Sequence, residues 1–201
     1  MQFNIFPEVW QVLGLLVMTL LVLVALMFDL TQRRIPNRLV VLMVGIGLLI
    51  NLIGPQAAHR MAGLFSDTPG ALGIKGAGLG ALTGLVVFLP FYLLHAMGAG
   101  DVKFMAGIGS FVGSAAVVNI SLFILITGGV LAMVRMVWAG KSRLVMFNVV
   151  TALGQLLHGS SGTFDPAIQS ADRMPYAVAM AGGLLAYGVW IFSGHFPLIS
   201  F

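Results

Sequence analysis

The chain has 201 residues, 59% of them hydrophobic and 8% charged, against about 25% charged residues in a soluble domain, so a soluble globule is excluded. The sequence reads as an all-α, polytopic membrane helix bundle, a single membrane-embedded domain over residues 1–201 with room for about six spans of roughly 20 residues each. There are no cysteines, which removes disulfides, thiolate zinc sites and a cysteine nucleophile together, and the net charge of +4 speaks to membrane topology, with no broad basic patch for nucleic acid.

The N-terminus, Met1 to Pro7, carries no Lys or Arg, and no small-residue cleavage site follows the first apolar run. That run, Val9 to Phe28, is therefore expected to be a retained span ending at Asp29. The basic segment from Thr31 to Arg38 follows. Pro36 at the first helical position suits the start of a second span, Asn37 to Ile53, which Gly54-Pro55 closes. Gln56 to Lys75 is a mixed loop with a Pro69-Gly70 turn, and a glycine-rich third span is expected from about Gly76 to Ala96. A fourth span, Val102 to about Val118, and a fifth, Asn119 to Trp138, have no charged loop between them, so a tight hairpin is expected. Leu144 to Arg173 reads as an interfacial amphipathic helix plus loop, with a short re-entrant piece as the alternative. Pro175 to Phe192 makes the last span.

Basic residues accumulate in short cytoplasmic loops. With the loop after span one inside, Arg33, Arg34, Arg38, Lys103, Arg135, Lys141, Arg143 and Arg173 are cytoplasmic, and only Arg60 and Lys75 fall outside. This predicts six spans with both termini outside, and it puts Asp29 and Asp101 at the same membrane face.

Only six acids exist. Glu8, Asp67, Asp165 and Asp172 lie in expected loops or at the outer edge, as solvated acids or helix caps. Asp29 and Asp101 sit where apolar runs end and begin, and an ionisable residue there is a functional hypothesis by default. They are separated by 71 intervening residues, yet can meet if the first and fourth spans pack side by side. Two carboxyls sharing a site cannot both ionise cheaply. Such a pair can activate water, one member accepting a proton from it and the other donating to the oxyanion or leaving nitrogen. The alternative is that each acid caps a helix or pairs with Arg33, Arg34 or Lys103. Gly98 and Gly100 remove side chains beside Asp101 and would admit another backbone, such as an extended substrate.

Asp29 with Ile35-Pro36-Asn37 shortly after, then Gly98-Ala99-Gly100-Asp101-Val102-Lys103, resembles the type IV prepilin peptidases, membrane aspartic proteases of the GxGD class. Met174-Pro175-Tyr176-Ala177 is also similar to that family's closing motif. The resemblance implies a bacterial inner-membrane, multi-pass enzyme of pilus biogenesis. Asp29 and Asp101 would be its catalytic pair, with Gly98, Gly100, Lys103, Pro36 and Asn37 in supporting places. Its partners would be the lipid bilayer and a prepilin substrate, cut at the cytoplasmic face after a glycine that precedes the pilin's hydrophobic helix. The long form of the family carries a cytoplasmic domain with paired cysteines that also methylates the new N-terminus. This cysteine-free chain looks instead like the short, stand-alone peptidase of Flp-type (tight-adherence) systems, without methyl transfer; archaeal preflagellin peptidases are also short. The presenilin-type Tyr-Asp and Pro-Ala-Leu elements are absent.

The four histidines, His59, His95, His158 and His195, form no i, i+4 pair, so neither a metal site nor a cofactor is expected. Gly80-x-x-x-Gly84 and Gly109-x-x-x-Gly113 predict close helix packing within the monomer. Asn51, Asn119 and Arg135 are polar residues inside spans, expected to be hydrogen-bonded or near an interface. The competing reading is a non-proteolytic multi-pass transporter or a pilus-assembly membrane subunit. A transporter would place its ionisable groups or broken helices near the bilayer midplane.

Overall fold

The computed structural model describes residues 7–54, 72–93, 97–138 and 176–199. The expected segment 144–173, with Lys141, Arg143, Arg60, Asp67, Asp165, Asp172, His59, His95 and His158, lies outside these. The described residues form helices and no strands: α1 (Pro7–Gln32), α2 (Asn37–Ile53), α3 (Gly73–Leu93), α4 (Ala99–Trp138) and α5 (Tyr176–Phe192). Of these, α1, α3 and α4 are long and apolar enough to cross a membrane, and α2 and α5 are shorter apolar helices. Val12, Leu16, Leu20, Leu23 and Met27 of α1 point outward, an apolar exterior that suits lipid and would be untenable in water.

Helix directions follow from contacts at each end. Trp10 at the start of α1 donates its indole N–H to the Ile50 carbonyl near the end of α2 at 3.0 Å, so α1 and α2 are antiparallel. From α2 to the first part of α4 the register is parallel: Lys103 bonds Asn37, the missing side chain of Gly107 makes room for Met43, and that of Gly47 makes room for Ser110 and Phe111. α3 runs the other way, with Gly84 against the Met105 backbone and Gly80 against the backbones of Gly109 and Gly113. The two GxxxG elements thus meet each other within one chain. A β-carbon at Gly80 or Gly109 would collide with main chain, the close approach that small residues permit.

Asn51 fastens one end of the bundle. Its side-chain amide donates to the carbonyls of Gly47 (3.0 Å) and Ser110 (2.9 Å) and accepts from the Leu72 amide (3.1 Å), tying α2, α4 and the entry to α3 together. A fully buried amide needs such partners in an apolar interior.

Continuous apolar sequence hides a reversal in α4. Gly113 has φ 83 and ψ 176, outside helical space and in a region open to glycine. The Tyr176 hydroxyl lies 3.8 Å from where a Gly128 β-carbon would stand, and the same phenol interacts electrostatically with Asp101. The 27 residues from Asp101 to Gly128 would span roughly 40 Å in a straight helix, so the chain must fold back at Gly113. The returning arm is antiparallel to α5: Gly183 packs on Ile124, Thr127 donates to the Ala179 carbonyl at 3.0 Å, and Phe123 meets Tyr187 edge-on at 5.6 Å. The expected hairpin is therefore present but turns five residues before Val118, because Gly113 is the residue whose backbone can make the bend.

Other boundaries shift for local reasons. α1 continues through Asp29 to Gln32, so Asp29 sits inside the helix and not at its end. α3 begins at Gly73, three residues earlier than expected; the last residues of the expected span, 94–96, lie outside the described residues. Pro36 takes the N-cap position, since its ψ of 132 is extended; the first helical residue is Asn37. Beyond α5, residues 193–199 fold back on the bundle. Asn119 holds Ile199 by both backbone groups, at 2.8 Å to its carbonyl and 2.9 Å from its amide, and His195 stacks on Trp190 at 4.3 Å. Arg135, in the last turn of α4, is exposed.

Candidate active site

The inner stripe of α1 runs Met18, Leu21, Val22, Ala25, spaced for one helical face. Asp29 is the next position on that stripe, four residues after Ala25. It is consequently buried, at 7% exposure, inside a helix whose other faces are apolar and exposed. A carboxylate brought there by helix periodicity is costly unless it interacts with other groups.

The chain leaves α1 abruptly. Arg33 adopts φ 52, a left-handed conformation usually left to glycine or asparagine, while its amide donates to the Asp29 carbonyl at 2.9 Å. Strain of this kind persists where surrounding structure imposes it. The turn delivers Ile35 against Gly100, where a β-carbon would stand 3.7 Å from that of Ile35. The entry to α2 and the entry to α4 are thereby held side by side.

Asp101 is the third residue of α4, and its carboxylate accepts the Gly98 amide at 3.2 Å. That is one half of a capping box, an acid at the third helical position reaching back to the cap residue, so Asp101 does cap its helix as the simpler alternative supposed. The cap also fixes the side chain over the helix entrance, where Asp101 and Asp29 interact electrostatically with each other. Asp29 on α1 and Asp101 on α4 are thus neighbours at one end of the bundle. Arg33, Arg34, Arg38 and Lys103 occupy the same end; we call it the basic end.

The remaining motif residues have distinct surroundings. Gly98 is exposed and serves through its amide. Gly100 has ordinary contact distance to Ile35 and a negative φ, so nothing in the described structure forbids a small side chain there. Lys103 turns its ammonium to the Asn37 side-chain oxygen at 3.4 Å, linking α4 to α2. Tyr176 was part of the closing motif but not of the expected site. Its phenol interacts electrostatically with Asp101 from α5, so residues of three separate helices act on one another at the same end of the bundle. The only sequence signal for it was the motif similarity, because a tyrosine opening an apolar helix is otherwise an ordinary interfacial residue.

No curated protein and no solved structure matches the chain. The profile of the type IV leader peptidase family matches residues 16–133, a stretch that contains both aspartates, the Arg33 turn, the Asn37–Lys103 link and the glycine contact between α3 and α4. A match over more than half of the sequence, in the order in which these features are assembled, makes the chain a member of the type IV leader peptidase family, and so a protease of the prepilin peptidase kind.

Proposed function

We infer that the chain is an aspartic endopeptidase in which Asp29 and Asp101 together activate water, and that it removes the leader from a prepilin of the Flp kind. The observation that carries this reading is the convergence of the two carboxylates, from helices distant in sequence, at one end of an apolar bundle. In the proposed reaction the pair holds one proton between its members, since both cannot ionise cheaply side by side. The ionised carboxylate takes a proton from water as the water oxygen adds to the scissile carbonyl. The protonated member donates to the oxyanion and, as the tetrahedral intermediate collapses, a proton passes to the departing amine nitrogen. The proton belongs to the coupled pair.

The proposed topology has six spans, α4 supplying two through its fold at Gly113, in the bacterial inner membrane with both termini outside. Charge distribution supports this reading. Arg33, Arg34, Arg38, Lys103 and Arg135 accompany the aspartates, whereas Lys75 opens α3 at the end fastened by Asn51, as the bias of basic residues toward the cytoplasm requires. A substrate with a basic leader, a glycine at the cut and an apolar helix would present its bond at that face.

The test is cleavage of such a prepilin by purified protein in liposomes, read by mass spectrometry of the mature N-terminus. One cut after the glycine, an unmethylated product when a methyl donor is supplied, and loss of cleavage in Asp29→Asn and Asp101→Asn proteins that still insert are the expected results. Cleavage within the apolar helix, or full processing by either variant, would overturn the reading. Topology is checked separately on this cysteine-free chain: a cysteine replacing Gln32 should be shielded from impermeant reagent added outside the cell.

A further inference from the structure

One face of α2 is lined by Val40, Val41, Val44, Gly45 and Leu48, the spacing of a single helical stripe, and it borders a groove of about 630 Å³. Leu85 of α3 forms the opposite wall and Ala106 of α4 the floor, while Asn37 and Lys103 stand at one end. We propose that this groove holds one anionic phospholipid of the surrounding leaflet, its phosphate on Lys103 and Asn37 and one acyl chain between α2 and α3. The proposal goes beyond the proteolytic reading and does not depend on it.

Length, closure and charge select this occupant. From Asn37 to Leu48 the α2 side of the groove covers 12 residues, a rise of roughly 16 Å along the helix. That is about half of the ~30 Å hydrocarbon core, the depth of a single leaflet. Farther along, α2 and the entry to α3 are tied together where Asn51 binds the Leu72 amide at 3.1 Å. A chain can lie in such a half-length cleft, whereas a spanning helix needs the full thickness. Lys103 is exposed and bonds Asn37 through one donor, leaving two ammonium hydrogens for a phosphate oxygen. Arg38, exposed in the first turn of α2, adds a second cation at that end. A substrate held at Asp101 would lie on another side of α4, because Lys103 is two residues from Asp101 and so about 200° around the helix from it.

Gly45 gives a clean way in. A β-carbon at Gly45 meets nothing within 4 Å, so Gly45→Phe fills the groove without striking the core; Leu20→Phe, on the exposed face of α1, is the control for ordinary lipid-facing bulk. The experiment is native mass spectrometry of the purified full chain loaded with equal phosphatidylglycerol and phosphatidylcholine, with circular dichroism to verify folding. Wild type and Leu20→Phe should retain one phosphatidylglycerol in preference to phosphatidylcholine. Gly45→Phe should lose the retained lipid, and Lys103→Gln should shift the preference about fivefold toward parity, the effect of one lysine at an anionic surface. Equal retention of both lipids by wild type, or an unchanged preference in folded Gly45→Phe and Lys103→Gln, would overturn the proposal. So would displacement of the lipid by a prepilin that crosslinks to a cysteine placed at Gly45, which would assign the groove to substrate.

Discussion

The first arm of α4 and the whole of α1 each contribute one carboxylate to the basic end, and they are held in opposite ways. Every residue from Phe104 to Ser114 is buried, and on one side the contact with α3 is backbone to backbone through Gly80, Gly84, Gly109 and Gly113. α1 is buried along one stripe only and is otherwise exposed. Asp101 therefore rides on the most confined helical arm among the described residues, with its side chain fixed by the Gly98 amide. Asp29 hangs from a peripheral helix positioned by Met18, Leu21, Val22, Ala25 and the Trp10–Ile50 bond. A pair built this way has one fixed member and one whose distance can be tuned from a single helix face.

This contrast can be broken at the glycine contact. Gly80→Val places side-chain carbon where the Gly109 carbonyl stands, and main chain cannot step aside as a side chain would. The expected outcome is loss of the assembled fold, seen as absence of monodisperse protein in detergent, where Leu20→Val on α1 should purify normally. A well-folded Gly80→Val protein would mean that the close α3–α4 contact is dispensable.

The tunable side can be sharpened at Ala25, fully buried on the stripe one turn before Asp29. Ala25→Leu overpacks that face, at a cost of about 1–3 kcal/mol, and should push α1 outward. Insertion should survive, while kcat/KM for prepilin falls about 10²-fold, the scale of an ångström's misplacement of a reacting group. Unchanged kinetics would show that α1 is fixed more firmly than its contacts suggest.

The smallest effect is expected at the turn. Arg33 holds φ 52, a conformation costing an L-residue about 1–2 kcal/mol, so Arg33→Gly should raise the thermal midpoint modestly, as read by a fluorescence melt. A lower midpoint would mean that the arginine side chain contributes more than its backbone costs.

Much of this arrangement could be read from the sequence, for definite physical reasons. Acids are so rare in an apolar chain that Asp29 and Asp101 stand out, whereas the inner stripe that carries Asp29 is not legible, because α1 is apolar on its exposed faces as well as its buried one. The glycine spacings announced close packing because only small residues permit it. Asn51 and Asn119 had to be satisfied once buried, though their partners, the Leu72 amide and the Ile199 backbone, depend on tertiary approach that no local signal encodes. The reversal in α4 was misplaced because residues 102–138 carry no polar loop; one glycine among many makes the bend. Arg33 in a left-handed conformation was hidden because arginine is not a turn residue, and Tyr176 because its electrostatic interaction with Asp101 depends on the fold-back of α4.

The central claim is that Asp29 and Asp101 act as one unit, and single-turnover cleavage of prepilin by Asp29→Asn, Asp101→Asn and the double variant tests it most directly. Groups that share a proton fail together, so each single change should lower the rate by about 10²–10⁴-fold, and the double variant should be no slower than the worse single one. Losses that multiply, or a single variant that keeps most of the wild-type rate, would contradict the account.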